Sequence, residues 1–145
     1  VNYLLDTCVV SELIKPQPAP QVVQWLASIP EDRLFLSALT LGEIQKGISR
    51  LDEGKRKEML SRWLDVDLRE RFKDRILVLD ADVFVEWGRL CGVTEKKGRL
   101  LPVLDALMAA AAIVHHMTLV TRNEDDVRVA GVLLFNPWGP PPLAH

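Results

Sequence analysis

Short apolar runs alternate along this chain with stretches in which apolar side chains recur every three or four positions. These are the signatures of buried strands and amphipathic helices. Tyr3-Leu4-Leu5, closed by Asp6, predicts a buried strand, and residues 7–14 a short helix stopped by Lys15-Pro16-Gln17-Pro18. Pro20 suits a first helical position and opens a second helix over 20–29, with Val22, Val23 and Leu26 as its stripe. A strand is predicted at 34–37 and a helix from Thr40 to about Leu51. A long charged helix over 53–73 turns Met59, Leu60, Trp63 and Leu64 inward. A third strand lies at 76–79, and Asp80 caps a helix that runs to about Lys97 and is ended by Gly98. Pro102 opens a helix over 103–116, strands follow at 118–121 and 132–135, and Asn136-Pro137-Trp138-Gly139-Pro140 stops the last. Strands alternating with helices imply an α/β fold, with a short parallel sheet of four or five strands covered on both faces. Such sheets carry their ligand sites at the carboxyl ends of the strands.

With 145 residues, 48% of them hydrophobic, the chain suits one domain, 1–145, with a single core. No apolar run approaches the roughly 18 residues of a spanning helix, and no basic-flanked leader opens the sequence, so a cytoplasmic protein without membrane contact is expected. Cys8 and Cys91 lack metal-type spacing and read as two reduced thiols. The net charge of −2 does not indicate a strongly cationic nucleic-acid binder. The sum hides an asymmetry: residues 1–45 carry two basic and five acidic side chains, residues 46–75 ten and seven. A solvated helical face accounts for the middle stretch, and a phosphate-tracking patch beside an acidic centre is the sharper alternative.

Three acids stand where strands end or helices begin. Asp6 closes the first strand; an ionised carboxylate there is costly unless it caps the next helix or holds a cation. Glu43 follows Thr40 by three residues, the pattern of a capping box, yet it also falls near the carboxyl end of the second strand. Asp105 begins the most apolar, alanine-rich stretch of the chain, either as a helix cap or as a ligand held by a rigid core helix. Beyond the fourth strand comes Thr121-Arg122-Asn123-Glu124-Asp125-Asp126, in which Thr121, Asn123 or Asp126 can face the site, and spacing does not choose among them. Each acid alone reads as a cap. Three that converge on one sheet edge from distant segments repel one another and call for cations. Oxygen-only donors favour Mg²⁺ or Mn²⁺. The chemistry such a site supports is phosphodiester hydrolysis by activated water.

With these positions in place, the sequence resembles the PIN-domain proteins, within them the VapC toxins of bacterial toxin–antitoxin pairs, and more narrowly the FitB-like branch. The resemblance rests on Tyr3-Leu4-Leu5-Asp6-Thr7 with Ser11-Glu12, on Thr40-Leu41-Gly42-Glu43-Ile44 with Gly47, and on Trp87-Gly88-Arg89-Leu90. It continues through Pro102-Val103-Leu104-Asp105-Ala106-Leu107-Met108-Ala109-Ala110, Leu119-Val120-Thr121-Arg122-Asn123 and Asn136-Pro137-Trp138. It implies a three-layer PIN-like fold, a Mg²⁺-dependent endoribonuclease, a cognate VapB- or FitA-like antitoxin and a homodimer. On the matching positions Asp6, Glu43 and Asp105 become the metal-binding catalytic acids, with Thr7 and Thr121 supporting them by hydrogen bonds. The family's fourth position falls at Asn123, whose neutral amide brings no charge, and Asp126 matches a further acid that relatives often carry. Lys46, Arg50 and Arg89 are candidate contacts for RNA phosphates, against an ordinary solvated surface.

Two rival readings set the test. A phospho-acceptor receiver domain would also hold Mg²⁺ on a small parallel sheet, with Asp80 ending its third strand, but no lysine occurs after Arg99. A non-catalytic or degenerate interaction module would use the acids only as helix caps. His115 and His116 end a helix, where a polar tip suits the dipole. Trp25, Trp63, Trp87 and Trp138 lack stacking-platform spacing and read as packing residues.

Overall fold

Leu4 and Leu5 point to opposite faces of the first strand, and each face has its own helical layer. The computed structural model describes residues 1–139, less the side chains of Asp126 and Val129. In chain order β1 (Tyr3–Leu5) leads to α1 (Thr7–Leu13) and α2 (Pro20–Ser28), and β2 (Leu34–Ser37) to α3 (Ala38–Ser49). A helical arm follows, made of α4 (Lys55–Arg62), a π-helical stretch Trp63–Leu68 and α5 (Arg69–Arg71). Then come β3 (Ile76–Leu77), α6 (Ala81–Lys96), α7 (Val103–Val114), β4 (Thr118–Val120), α8 (Glu124–Val127) and β5 (Leu134–Phe135).

All strand pairs are parallel, and the order is β3-β2-β1-β4-β5. Tyr3 sits opposite Leu34 on one side and Thr118 on the other. One face buries Leu4 and Leu119 with the alanines of α7 and with Val83 and Leu90 of α6. The other buries Leu5, Leu34, Leu36 and Val120 with Val9, Val22, Ile48 and the apolar stripe of the arm. The result is the three-layer α/β fold with a five-stranded parallel sheet. From β1 the chain moves outward to β2 and β3 on one side, and from β4 to β5 on the other. The crevice at the carboxyl ends of β1 and β4 is therefore the topological switch point, where open parallel sheets bind ligands.

Several helix boundaries differ by a residue or two from those the pattern predicts, and two of the differences have a clear cause. The third helix starts at Ala38 and not Thr40, because the Ser37 hydroxyl caps it by accepting from Leu39 N at 3.1 Å. The long charged helix is not uniform. Leu60, Leu64, Leu68 and Phe72 are all buried at four-residue spacing, which on a pure α-helix drifts by about 40° per step. The wider π turn over Trp63–Leu68 removes that drift and keeps all four on the sheet. Met59, expected inward, is 54% exposed, since the stripe belongs to its neighbour Leu60. The sheet strands also end sooner than expected, at Leu77 and Val120. No helix among the described residues is long and apolar enough to cross a membrane.

Glu12 holds the first crossover in shape. It is only 5% exposed. Its Oε1 accepts from Ala19 N at 2.9 Å and its Oε2 meets Lys15 Nζ at 2.6 Å, so it closes the turn between α1 and α2. The hydrogen bond from Lys15, followed by that from Ala19, holds its carboxyl below the ordinary 4.5. A lowered folded-state pKa contributes stability above the unfolded value and loses it as pH falls through the folded one. Glu12→Gln is expected to lose about 1–2 kcal/mol of unfolding free energy at pH 7. That deficit should shrink towards zero as urea denaturation is repeated at pH values falling below 4.5.

Candidate active site

Asp6 is the first residue past β1, and its two oxygens do different work. Oδ1 accepts from Thr7 N at 2.8 Å and so caps α1. Oδ2 accepts from the Thr121 hydroxyl at 2.6 Å, a bond that spans the switch point from β4 to β1. Asp6 N is itself tied to Val120 O at 2.9 Å, so the backbone carrying the carboxylate is fixed to the neighbouring strand. The cap and the site are therefore not alternatives for Asp6: one carboxylate serves both.

Thr7 joins this strand end to the next. Its hydroxyl donates to Glu43 Oε1 at 2.8 Å and lies 2.9 Å from the hydroxyl of the buried Thr40. Glu43 is in the second turn of α3, whose cap is Ser37, so the Thr40–Glu43 capping box does not form. Thr40 instead faces Thr7 as part of the site. The local pattern makes Thr40 only a cap, and its contact with Thr7, 33 residues away, leaves no trace in that pattern. Asp105 is in the first turn of α7, behind Pro102, which occupies the cap position and lacks a side-chain cap bond. α7 turns back into β4 through His116 in a left-handed conformation, with Met117 N reaching Ala112 O at 2.9 Å. The helix thus runs antiparallel to β4, which puts its first turn towards the carboxyl edge of the sheet. Asp105 is half-buried there.

Among the described residues no three His, Cys, Asp or Glu side chains are grouped so as to hold a metal ion, so Asp6, Glu43 and Asp105 are not brought together as a ready three-acid cluster. The donor chemistry still fits a hard cation. Carboxylate and hydroxyl oxygens line the edge, and Asp6 and Glu43 flank a single threonine that orients both. The thiol of Cys8 touches this group without joining it, 3.6 Å from Asp6 Oδ2. Burial, and next the charge of Asp6, push that thiol up to about 11, so it stays protonated and is not a nucleophile at neutral pH.

The remaining predicted positions fall in different places. Asn123 is exposed; its backbone N–H donates to Thr121 Oγ1 at 3.0 Å, which fixes that hydroxyl's second lone pair. The side chain of Asp126 lies outside the described residues. Lys46 and Arg50 are exposed on α3, three and seven residues past Glu43, and so share its side of the helix. Beside them Thr7, Ser11, Glu43, Gly47, Arg56 and Trp63 border a groove of about 250 Å³. Arg89 is bound on its own helix by Glu86, with N–O distances of 2.5 and 2.8 Å, which leaves it engaged rather than free for phosphate. Asp80 follows the edge strand β3 and spends its carboxylate capping α6 through Val83 N at 3.1 Å. It does not stand at the switch point, as a phospho-acceptor at the sheet's centre would.

A three-layer α/β protein with acids and hydroxyls gathered at the switch point of a parallel sheet has the architecture of a small metal-assisted hydrolase. The profile of the PIN domain matches residues 3–132. The chain is 36% identical over 135 residues to Toxin FitB of Neisseria gonorrhoeae, covering 93% of this chain and 97% of the relative. It is 30% identical to VapC ribonuclease Y4jK of Sinorhizobium fredii, covering 94% and 98%. It superposes on FitAB bound to an IR36 DNA fragment with a TM-score of 0.90 at 35% identity, covering 99% of this chain and 98% of that one. This chain belongs to the PIN-domain family, whose ribonucleases are metal-dependent.

Proposed function

We propose that this protein is the toxin of a type II toxin–antitoxin pair, a cytoplasmic endoribonuclease that cuts RNA phosphodiester bonds with Mg²⁺ or Mn²⁺. The observation that carries the reading is the pair of hydrogen bonds by which Thr7 ties Asp6 to Glu43 across two strand ends, at 2.8 Å each. The kinship with a toxin and a VapC ribonuclease supports the activity, and the FitAB assembly supports a FitA- or VapB-like antitoxin as partner. A homodimer completes the proposal.

In this reading Asp6, Glu43 and Asp105 hold the cation, with Asn123 and Asp126 as candidate outer positions. A divalent cation, when bound, acidifies water and offsets charge on the phosphate. The chain's own part is orientation. Thr121 and Thr7 each occupy one oxygen of Asp6, and Thr7 occupies one of Glu43, so the remaining lone pairs are aimed before a cation arrives. The charge of Asn123 is zero where relatives often carry an acid, so the cation rests mainly on the first three residues.

Purified protein incubated with total RNA in Mg²⁺ should produce discrete cut ends. Chelation with EDTA should reduce the rate at least 100-fold, and added Mg²⁺ or Mn²⁺ should restore it. Expression alone should arrest growth, and co-expression of the antitoxin should relieve it. Cutting that persists in EDTA at the same positions would remove the metal-dependent reading.

A further inference from the structure

Arg122 stands between two anchored neighbours. Thr121 before it donates to Asp6, and Asn123 after it donates its N–H to Thr121. The guanidinium carbon of Arg122 lies 4.2 Å from the centroid of the Trp138 ring. That ring is held by an Asx turn, in which Trp138 N donates to Asn136 Oδ1 at 2.9 Å, and it packs against the core of the α1-to-α5 face. Its indole Nε1 is buried with no hydrogen-bond partner among the described residues, so the ring edge is sunk while a face is offered to Arg122. A guanidinium stacked in this way loses little further entropy on binding and keeps its in-plane N–H fork available.

Among the described residues the fork forms no ion pair: those present take Lys15, Lys57, Arg71, Arg75 and Arg89. Its charge reaches Glu12 only at a distance. With Asn123, Glu124 and Asp125, Arg122 lines an open concavity of about 290 Å³. Glu124 accepts from Asn136 Nδ2 at 3.4 Å, and Asp125 is exposed. Among the described residues that line it, Glu124 and Asp125 bring carboxylates and Arg122 the cation, while Arg99 donates to Asp125 O at 3.0 Å beside it, so retention of an anion leans on Arg122. A planar fork matches a phosphate's paired oxygens.

We propose that Arg122, stacked on Trp138, binds the RNA phosphate next to the bond being cut and so sets the strand's register on the acidic edge. The proposal rests on the ribonuclease reading and adds a substrate-positioning residue to it. The test compares wild type, Arg122→Ala and Arg122→Lys on one fluorescein-labelled single-stranded oligoribonucleotide. Arg122→Ala should raise KM about tenfold while kcat falls less than threefold. It should also flatten the dependence of log(kcat/KM) on log salt by about 0.7, the share of one phosphate contact on a single strand. Arg122→Lys should keep the salt slope and still raise KM, since an ammonium retains charge but not the stacked fork. Fluorescence anisotropy in EDTA, where no cutting is expected, gives an independent reading: the Kd should weaken about tenfold in Arg122→Ala. An unchanged Kd in EDTA overturns the proposal whether or not the wild type cuts RNA. A fall in kcat at constant KM overturns it as well, by placing Arg122 in the chemical step. Absent cleavage by the wild type together with a weakened Kd would sink only the ribonuclease reading.

Discussion

Asp6→Asn is expected to lower RNA cleavage at least 100-fold while costing only about 1 kcal/mol of stability. The separation follows from the two jobs of this carboxylate. As the cap of α1 it uses Oδ1 to accept from Thr7 N, and an asparagine carbonyl caps a helix about as well as aspartate does. The bond from the Thr121 hydroxyl to Oδ2 is lost or reversed in the amide, at about 1 kcal/mol. What the amide cannot supply is negative charge at the switch point. On the proposed reading that charge holds the cation, and removing one of three acids costs affinity and rate together. Asp6→Ala makes the contrast, because it forfeits the cap as well, about 1 kcal/mol more. Cleavage rates at saturating Mg²⁺, read beside a denaturation curve for each variant, check this. Equal rates for wild type and Asp6→Asn would leave Asp6 as a helix cap and nothing more.

Phe72→Ala should have the largest effect on stability. The ring is fully buried at the end of the four-residue stripe that runs through Leu60, Leu64 and Leu68. The guanidinium groups of Arg71 and Arg75 lie 5.2 and 5.0 Å from its centroid. Arg75 in turn donates to Glu31 O and Leu34 O at 2.5 and 2.6 Å, and also to Arg71 O, which pins the arm to the start of β2. Removing the ring leaves a cavity and releases both arginines, at a cost of about 3–5 kcal/mol. For a domain of this size that is a drop in Tm on the order of 10 °C, measurable by calorimetry. A drop under about 3 °C would mean that the arm collapses to fill the space.

The legible parts of the fold were those fixed by local chemistry. Pro20 at a helix start, Asp80 as a cap and the apolar run before Asp6 each specify their own surroundings. The illegible parts were set by neighbours far away in sequence. Thr40 satisfies the local rule for a cap, yet Ser37 takes that place and Thr40 turns to Thr7, 33 residues distant. The π turn of the arm answers to the sheet surface under it and has no composition of its own. For Asp105 the pattern leaves cap and ligand both open, and Pro102 at the cap position without a side-chain cap bond removes the first only once the helix start is fixed. The stacking of Arg122 on Trp138 joins two strand ends and has no periodic trace at all.

The bond between Thr121 and Asp6 closes a loop of 115 residues. A ribosome releases the second of these residues well after the first. Until then β4 is missing and Asp6 has no Thr121 across the crevice. The geometry of the crevice therefore belongs to no fragment of the chain that lacks either strand.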